Sequence, residues 1–434
     1  MRVSLHTLGC KLNYADTGSM SRAFEERGFD AVPWGGEADV AVINTCTVTE
    51  EAERKCRQAI RRALRLNPDT YVIVTGCYAQ LRPEEIAEIE GVDLVLGTAE
   101  KSQVFAYADA FVKQEKTQVH VSCIDEATDF GPSHAAGERS RAFLKVQDGC
   151  DYSCSFCTIP AARGPSRSHT IAGAVAQARS IARDGFSEIV LSGVNIGLFG
   201  QDTGESLLDL FRALDTVDGV ARYRISSIEP NLLTDEIIGF VAGSRAFQPH
   251  FHIPLQSGDD EVLGAMRRRY RRQVYADRVG RIRRDMPHAC IGVDVIVGFP
   301  AETDAHFRNT AAFLEDLDVS YLHVFTYSER PDTVAVERFG TDVVNRGVRS
   351  QRNRTLRLLS TRKRMAFNAR FVGTSRPVLW EREGEMHQLG FTDNYVRVRR
   401  ASIPGTEGAI EQAYLDRLAE DGVVEAGIPA LTVL

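Results

Sequence analysis

Short β-rich runs that end two residues before a cysteine recur in this chain, and that pattern restricts its folding more than any other. Val3 to Leu8, Val40 to Asn44 and Tyr71 to Thr75 are followed by Cys10, Cys46 and Cys77, and Val92 to Leu96 is a fourth run. Helical patterns, Thr49 to Arg65 and Pro83 to Glu90, fall between them. Strand and helix alternating in units of about 30 residues predict a parallel sheet with helices on its faces. The carboxyl ends of parallel strands share one edge, and ligands bind there. Three thiols distant in sequence are therefore expected in one crevice of residues 1–120, as a metal site with an open coordination position. Three unrelated buried cysteines are the plainer alternative, and the same placement three times over weighs against it.

A polar connector from about 121 to 140 precedes a second alternating run. Its strands are Ala142 to Gln147, Glu188 to Ser192, Tyr223 to Ser227, His250 to Leu255, Ile291 to Gly298 and Tyr321 to Tyr327. Six such units over 136–368 predict a partial (β/α)6 barrel with its reactive loops at the strand C-termini. The first strand leads into Cys150, Cys154 and Cys157, spaced C-x3-C-x2-C. A structural zinc site wants four protein ligands, and here His169 or a distant residue would have to supply the fourth. A four-iron cluster held by three thiolates instead keeps one iron open, able to bind the amino and carboxylate groups of S-adenosylmethionine. Phe156, between the last two cysteines, is expected to form an apolar wall that limits water.

Residues 371–434 change character. Arg376 to Glu381, Tyr395 to Arg400 and Val423 to Leu434 read as short strands punctuated by glycine, the pattern of a small antiparallel β-barrel. Nine scattered cysteines, an odd number, do not form a secreted disulfide framework. With no apolar signal core at the start and no apolar run of membrane-spanning length, a cytoplasmic, reduced protein is expected. The net charge of −7 argues against a general nucleic-acid coat. Yet Arg267 to Arg284 holds nine arginines against Asp277, and Arg346 to Arg370 holds nine basic residues and no acidic one. Such stretches are either solvated helix faces or a local RNA-facing surface, with Arg362, Lys363 and Arg364 as candidate contacts.

Two tri-cysteine sites on successive α/β domains, followed by a small β-barrel, resemble the radical S-adenosylmethionine methylthiotransferases along the whole chain. The resemblance implies an N-terminal methylthiotransferase domain, a radical barrel and a C-terminal TRAM barrel. Cys10, Cys46 and Cys77 stand in motifs similar to the ligands of an auxiliary 4Fe-4S cluster, and Cys150, Cys154 and Cys157 match the ligands of the radical-generating cluster. Ser226-Ser227-Ile228-Glu229-Pro230 and His252-Ile253-Pro254-Leu255-Gln256-Ser257-Gly258 look like family barrel motifs, which suggests Ser227 and Gln256 as cofactor contacts.

Finer details favour one branch. Gly9-Cys10-Lys11-Leu12-Asn13 with Asp16-Thr17, Cys157-Thr158-Ile159-Pro160 with Arg163-Gly164, and His323 to Arg330 look most like enzymes acting on N6-threonylcarbamoyladenosine at position 37 of tRNA. The alternatives are isopentenyladenosine in tRNA or a ribosomal protein, and, more distantly, a non-catalytic metal and RNA binder. The resemblance implies that one S-adenosylmethionine methylates a sulfur at the auxiliary cluster and a second yields the radical that activates carbon 2 of the adenine. Both clusters should face one cavity, and an external low-potential donor such as a flavodoxin or ferredoxin is needed. One departure stands out: after Arg400 there are six acidic residues and one cation, Arg417, a poor phosphate surface. Cys56, Cys123 and Cys290 match no motif.

Overall fold

The computed structural model describes residues 1–108, 110–113, 115–135, 140–340, 343–384 and 386–427. Position 136 and residues 428–434, which fall in the expected domain bounds and the last expected strand, lie outside them.

Six parallel strands build the first sheet: Arg2–Thr7, Asp30–Val32, Val40–Thr45, Tyr71–Gly76, Leu94–Leu96 and Gln118–His120. The second strand flanks one side of the first, and the remaining strands follow in chain order on the other side. Chain direction across the sheet therefore reverses at Arg2–Thr7, which creates a topological switch point and a crevice at the strand ends. Val40–Thr45 and Tyr71–Gly76 are buried throughout, as expected of central parallel strands covered on both faces. Val42 and Ile73 pack with Met20 and Phe24 of helix Lys11–Glu25, while Ile43, Val72 and Val74 pack with Cys56 and Ile60 of helix Glu50–Leu66. The second helix starts where Thr49 Oγ1 accepts from the Ala52 N–H, with Glu50, Glu51 and Glu53 facing the positive end of the helix dipole.

The strands Ala142–Lys145, Glu188–Ser192, Arg222–Ile225, His250–Gln256, Cys290–Val297 and Tyr321–Thr326 form the partial barrel. They lie in two parallel groups of three, linked by the bridges Tyr223 to Phe247 and Ser227 to His252. One apolar cluster, from Ala142 to Leu359, fills the space between these strands and their helices. Both arginine-rich stretches contain helices, Arg272–Asp285 and Arg346–Ala369.

A closed five-stranded barrel follows: Ser375–Glu383, His387–Thr392, Arg397–Ala401, Ile410–Leu418 and Val424–Gly427. Arg222 and Arg224 dock it onto the larger barrel, donating to the carbonyls of Pro377, Phe391, Thr392 and Asp393 at 2.7–3.2 Å. Glu188 beneath them is fully buried; against the burial that would raise it, Arg224 and Arg141 hold its carboxyl down at about 2. The strands at Asp30–Val32, Gln118–His120, His387–Thr392 and Ile410–Leu418 were not expected from the sequence, and the polar connector begins after one of them.

Candidate active site

Cys10, Cys46 and Cys77 follow the C-terminal ends of three adjacent strands, with Cys10 and Cys46 on either side of the switch point. Cys10 caps helix Lys11–Glu25, and Cys77 opens the short helix Cys77–Leu81. Gly9, at φ +102°, allows their approach: a Cβ there would stand 2.8 Å from Cys46 Cβ. Burial pushes the Cys46 thiol up to about 12 and raises Cys77 as well, with Arg163 beside Cys77 pulling the other way. Such thiols bind as thiolates only when a metal offsets the proton loss. Cys56, in the helix that follows Cys46, accepts from the Cys46 backbone N–H at 3.5 Å and so supports the backbone there.

A buried polar network joins this crevice to the barrel loop. Asn13 Nδ2 donates to Leu8 O and Thr45 O (2.7 and 2.9 Å), just before Cys10 and Cys46. Arg163 donates to Asn13 Oδ1 at 2.5 Å and to Asp148 Oδ1 at 2.8 Å, and the same carboxylate oxygen accepts from the Gly149 N–H directly before Cys150. Asp16 binds Lys101 (2.5 Å) and Lys145 (3.0 Å), and Lys145 reaches Asp148 at 3.4 Å. Lys101, Lys145 and Arg163 against Asp16 and Asp148 leave one surplus positive charge, which complements the negative charge that three thiolates bring.

The Cys150 loop is fixed at several points. Cys150 N–H donates to Gly164 O (3.0 Å), Ser155 N–H to Met266 O (3.1 Å), and Ser155 O accepts from Ala335 (2.7 Å). Gly149, at φ +71°, passes so close to Pro165 that a Cβ would lie 1.9 Å from its carbonyl oxygen. Three donors point at sulfur: Tyr152 N–H to Cys150 (3.5 Å), Ile159 N–H to Cys157 (3.4 Å) and Arg268 Nη1 to Cys154 (3.1 Å). Hydrogen bonds of this kind tune a bound cluster. Burial pushes Cys150 up to about 11 and Cys157 to about 12. Phe156 packs against an apolar cluster that includes Val262, Met266 and Phe299.

Neither set of thiols closes around a single ion. A tetrahedral zinc with bonds of about 2.3 Å brings its sulfurs within roughly 4 Å of each other. Among the described residues, the one group of three ligand atoms within 4.8 Å is His252, Asp294 and His323, with no cysteine. His169 packs on Phe130 (5.1 Å between ring centres). The strand ends beside the loop carry buried polar atoms with no protein partner: both amide atoms of Asn195, Ser226 Oγ and Gln256 Oε1. Gln256 also sits at φ +66° where the strand register shifts, a strained geometry that recurs at ligand sites. These atoms fit a polar cofactor such as S-adenosylmethionine.

A cavity of about 910 Å³ runs between the three parts of the chain. Its wall includes Cys10 and Lys11, the barrel residues Ser227, His252, Asp294 and His323, and Arg382 and Tyr395 of the small barrel. Cys150, Cys154 and Cys157 are not in that wall; the barrel faces it with Ser192, Ser226 and Ser227 instead. His252 Nε2 lies 2.9 Å from Asp294 Oδ2. Phe325, 49 % exposed, offers a flat aromatic face. Of the candidate RNA contacts, Arg362 pairs with Glu315 (2.9 Å) and Lys363 caps the carbonyls of Glu315 and Leu317 (3.0 and 2.7 Å). Arg364 lines a second cavity of about 330 Å³ that shares Tyr321, His323, Phe391 and Tyr395 with the first.

A barrel with a three-cysteine loop after its first strand defines a radical S-adenosylmethionine enzyme. Residues 144–314 match the Radical SAM superfamily, and residues 2–97 match Uncharacterized protein family UPF0004. Threonylcarbamoyladenosine tRNA methylthiotransferase MtaB of Bacillus subtilis is 38% identical, over 98% of this chain and 94% of its own. The Aquifex aeolicus protein of the same name is 37% identical, over 92% and 97%. A tRNA-2-methylthio-N(6)-dimethylallyladenosine synthase of Streptomyces coelicolor is 35% identical over 77% of this chain and 68% of its own. The fold is similar to that of the radical S-adenosylmethionine methyltransferase TsrM of Kitasatospora setae, with a TM-score of 0.56 at 16% identity over 77% of both chains. This chain belongs to the radical S-adenosylmethionine methylthiotransferase family.

Sequence reading missed Arg163, Asn195 and Arg268, whose partners lie far away in the chain. Arg163 had a signal in the Arg163-Gly164 pair at the end of the cysteine loop motif, and Arg268 lay in the arginine-rich stretch read as a candidate RNA-facing surface, whereas its guanidinium turns inward to Cys154 and Glu229.

Proposed function

We propose that this chain attaches a methylthio group to carbon 2 of N6-threonylcarbamoyladenosine at position 37 of tRNA. The observation that carries this reading is near full-length identity of 36–38% with three enzymes bearing that name; the two sets of three cysteines at strand ends support it. Cys150, Cys154 and Cys157 would hold a cluster able to supply the electron for reductive cleavage of S-adenosylmethionine into methionine and a 5′-deoxyadenosyl radical, and Cys10, Cys46 and Cys77 would hold a second, at which a sulfur is methylated before transfer.

The protein's share is positioning. Arg163 and Asp148 hold the two cysteine crevices in fixed relation. Asn195, Ser226, Ser227 and Gln256 are placed to orient S-adenosylmethionine, and Phe325 offers the adenine a stacking face. An external donor of the flavodoxin or ferredoxin type completes the electron supply. Liquid chromatography and mass spectrometry of tRNA nucleosides from a strain lacking the gene test the reading: the 2-methylthio derivative of threonylcarbamoyladenosine should vanish and return with the wild-type gene. Loss of the isopentenyl derivative instead would overturn it.

The arginine-rich helix Arg346–Ala369 is proposed to face tRNA. Arg362 is exposed and Arg364 opens on the second cavity, whereas the Lys363 ammonium is already bound by carbonyls. Arg362→Gln with Arg364→Gln is expected to weaken tRNA binding and to lower the slope of log affinity against log salt by about one for each phosphate no longer neutralised. The check is a salt titration of binding with iron content unchanged.

A further inference from the structure

We propose that Lys11 recognises the carboxylate of the threonylcarbamoyl group and thereby selects this nucleoside over adenosines with uncharged N6 substituents. The inference rests on the substrate reading above.

The Lys11 side chain is accessible from the large cavity, immediately after Cys10. Among the described residues its ammonium makes no hydrogen bond or ion pair. Two of the other cations in that wall are committed: Arg141 pairs with Glu381 (2.7 Å) and Glu188 (3.6 Å), and Arg224 pairs with Glu188 (2.8 Å) and two backbone carbonyls. Asp294, an acid in the same wall, is hydrogen-bonded to His252 and attracts the Lys11 ammonium without closing an ion pair with it. Arg382 is the other cation there without an ion pair among the described residues, and it enters from the small barrel rather than from the first sheet. An ammonium open to the cavity and held in no ion pair there is free to bind a ligand's counter-charge through a charge-assisted hydrogen bond.

The adenine ring says where such a ligand group falls. Carbon 2 and the N6 substituent both flank ring nitrogen N1, so they occupy one edge of the base. When carbon 2 is presented to sulfur at the Cys10 crevice, the N6 substituent lies along that same edge, next to the residue that follows Cys10. A threonylcarbamoyl group ends in a carboxylate, which an ammonium binds with a charge-assisted hydrogen bond. A dimethylallyl group ends in hydrocarbon and would leave Lys11 unpaired.

The test uses reconstituted full-length enzyme and three anticodon stem-loop RNAs, identical except at position 37: threonylcarbamoyladenosine, its carboxyl methyl ester, and isopentenyladenosine. Binding is read by fluorescence anisotropy and turnover by mass spectrometry. Wild type should prefer the free carboxylate over the ester by roughly 10- to 100-fold, the range of a hydrogen bond to a charged group. Lys11→Met should bring that ratio near one, and Lys11→Arg should keep it within a few-fold. Iron content of each variant shows whether Cys10 still holds its site, and anisotropy needs no turnover, so a variant with impaired iron loading is still informative. A wild type indifferent to esterification, or a Lys11→Met that keeps the wild-type ratio in binding, would overturn the proposal while the substrate reading stands. Product on the isopentenyl RNA and none on the threonylcarbamoyl RNA would overturn the substrate reading, and this inference with it.

Discussion

Replacing Cys150, Cys154 and Cys157 with alanine abolishes both 5′-deoxyadenosine formation and methylthio product, whereas replacing Cys10, Cys46 and Cys77 abolishes only the product. That asymmetry is the largest effect expected. The two crevices are built separately, one on the first parallel sheet and one on the loop after the first barrel strand. Removing three ligands from either should leave the other folded, because the apolar clusters behind them are distinct. Anaerobically reconstituted wild type is expected to hold about eight irons, and each triple variant about half of that. Iron analysis and chromatography of the two products on the same samples provide the check. Methylthio product from either triple variant would contradict the two-cluster account.

Arg163→Met comes second in expected size. The guanidinium is 1 % exposed and serves Asn13 and Asp148 at once, with Asp16 at 3.6 Å. Without it, the side-chain partners of Asp148 among the described residues are Lys145 at 3.4 Å and the Gly149 N–H. Breaking a buried ion pair by removing one partner costs about 3–5 kcal/mol, which lowers the melting temperature by on the order of 10 °C. The functional loss should be uneven. Asn13, freed from Arg163, holds the backbone before Cys10 and Cys46 less firmly, so methylthio product should fall more than 5′-deoxyadenosine. Thermal unfolding and the ratio of the two products measure both parts; an unchanged melting temperature would show that the network is not a structural link between the crevices.

The placement of the cysteines at strand ends and the strands of all three parts with continuous apolar runs were legible because their signals are local. Continuous apolar runs such as Val40–Thr45 mark central parallel strands, and a cysteine just past each one lands on the shared edge. Strands without that pattern were not legible. Gln118–His120 is a three-residue edge strand with little burial, and Ile410–Leu418 carries Glu411, Gln412, Asp416 and Arg417 around one buried side chain, Leu415. The links that unite the site are non-local: 150 residues separate Asn13 from Arg163, and 114 separate Cys154 from Arg268. Charge density misled in part at Lys363, whose ammonium binds the carbonyls ending helix Asp304–Asp316, a role that composition does not distinguish from an RNA contact.

The central claim is the joining of a methylthio group to carbon 2 of one particular nucleoside. The most direct measurement offers purified, reconstituted enzyme three substrates in parallel with S-adenosylmethionine and a low-potential reductant: tRNA bearing threonylcarbamoyladenosine, tRNA bearing isopentenyladenosine, and the ribosomal protein. Mass spectrometry of the products should find the added methylthio group on threonylcarbamoyladenosine and on neither of the others. Product confined to isopentenyladenosine or to the ribosomal protein would contradict the account.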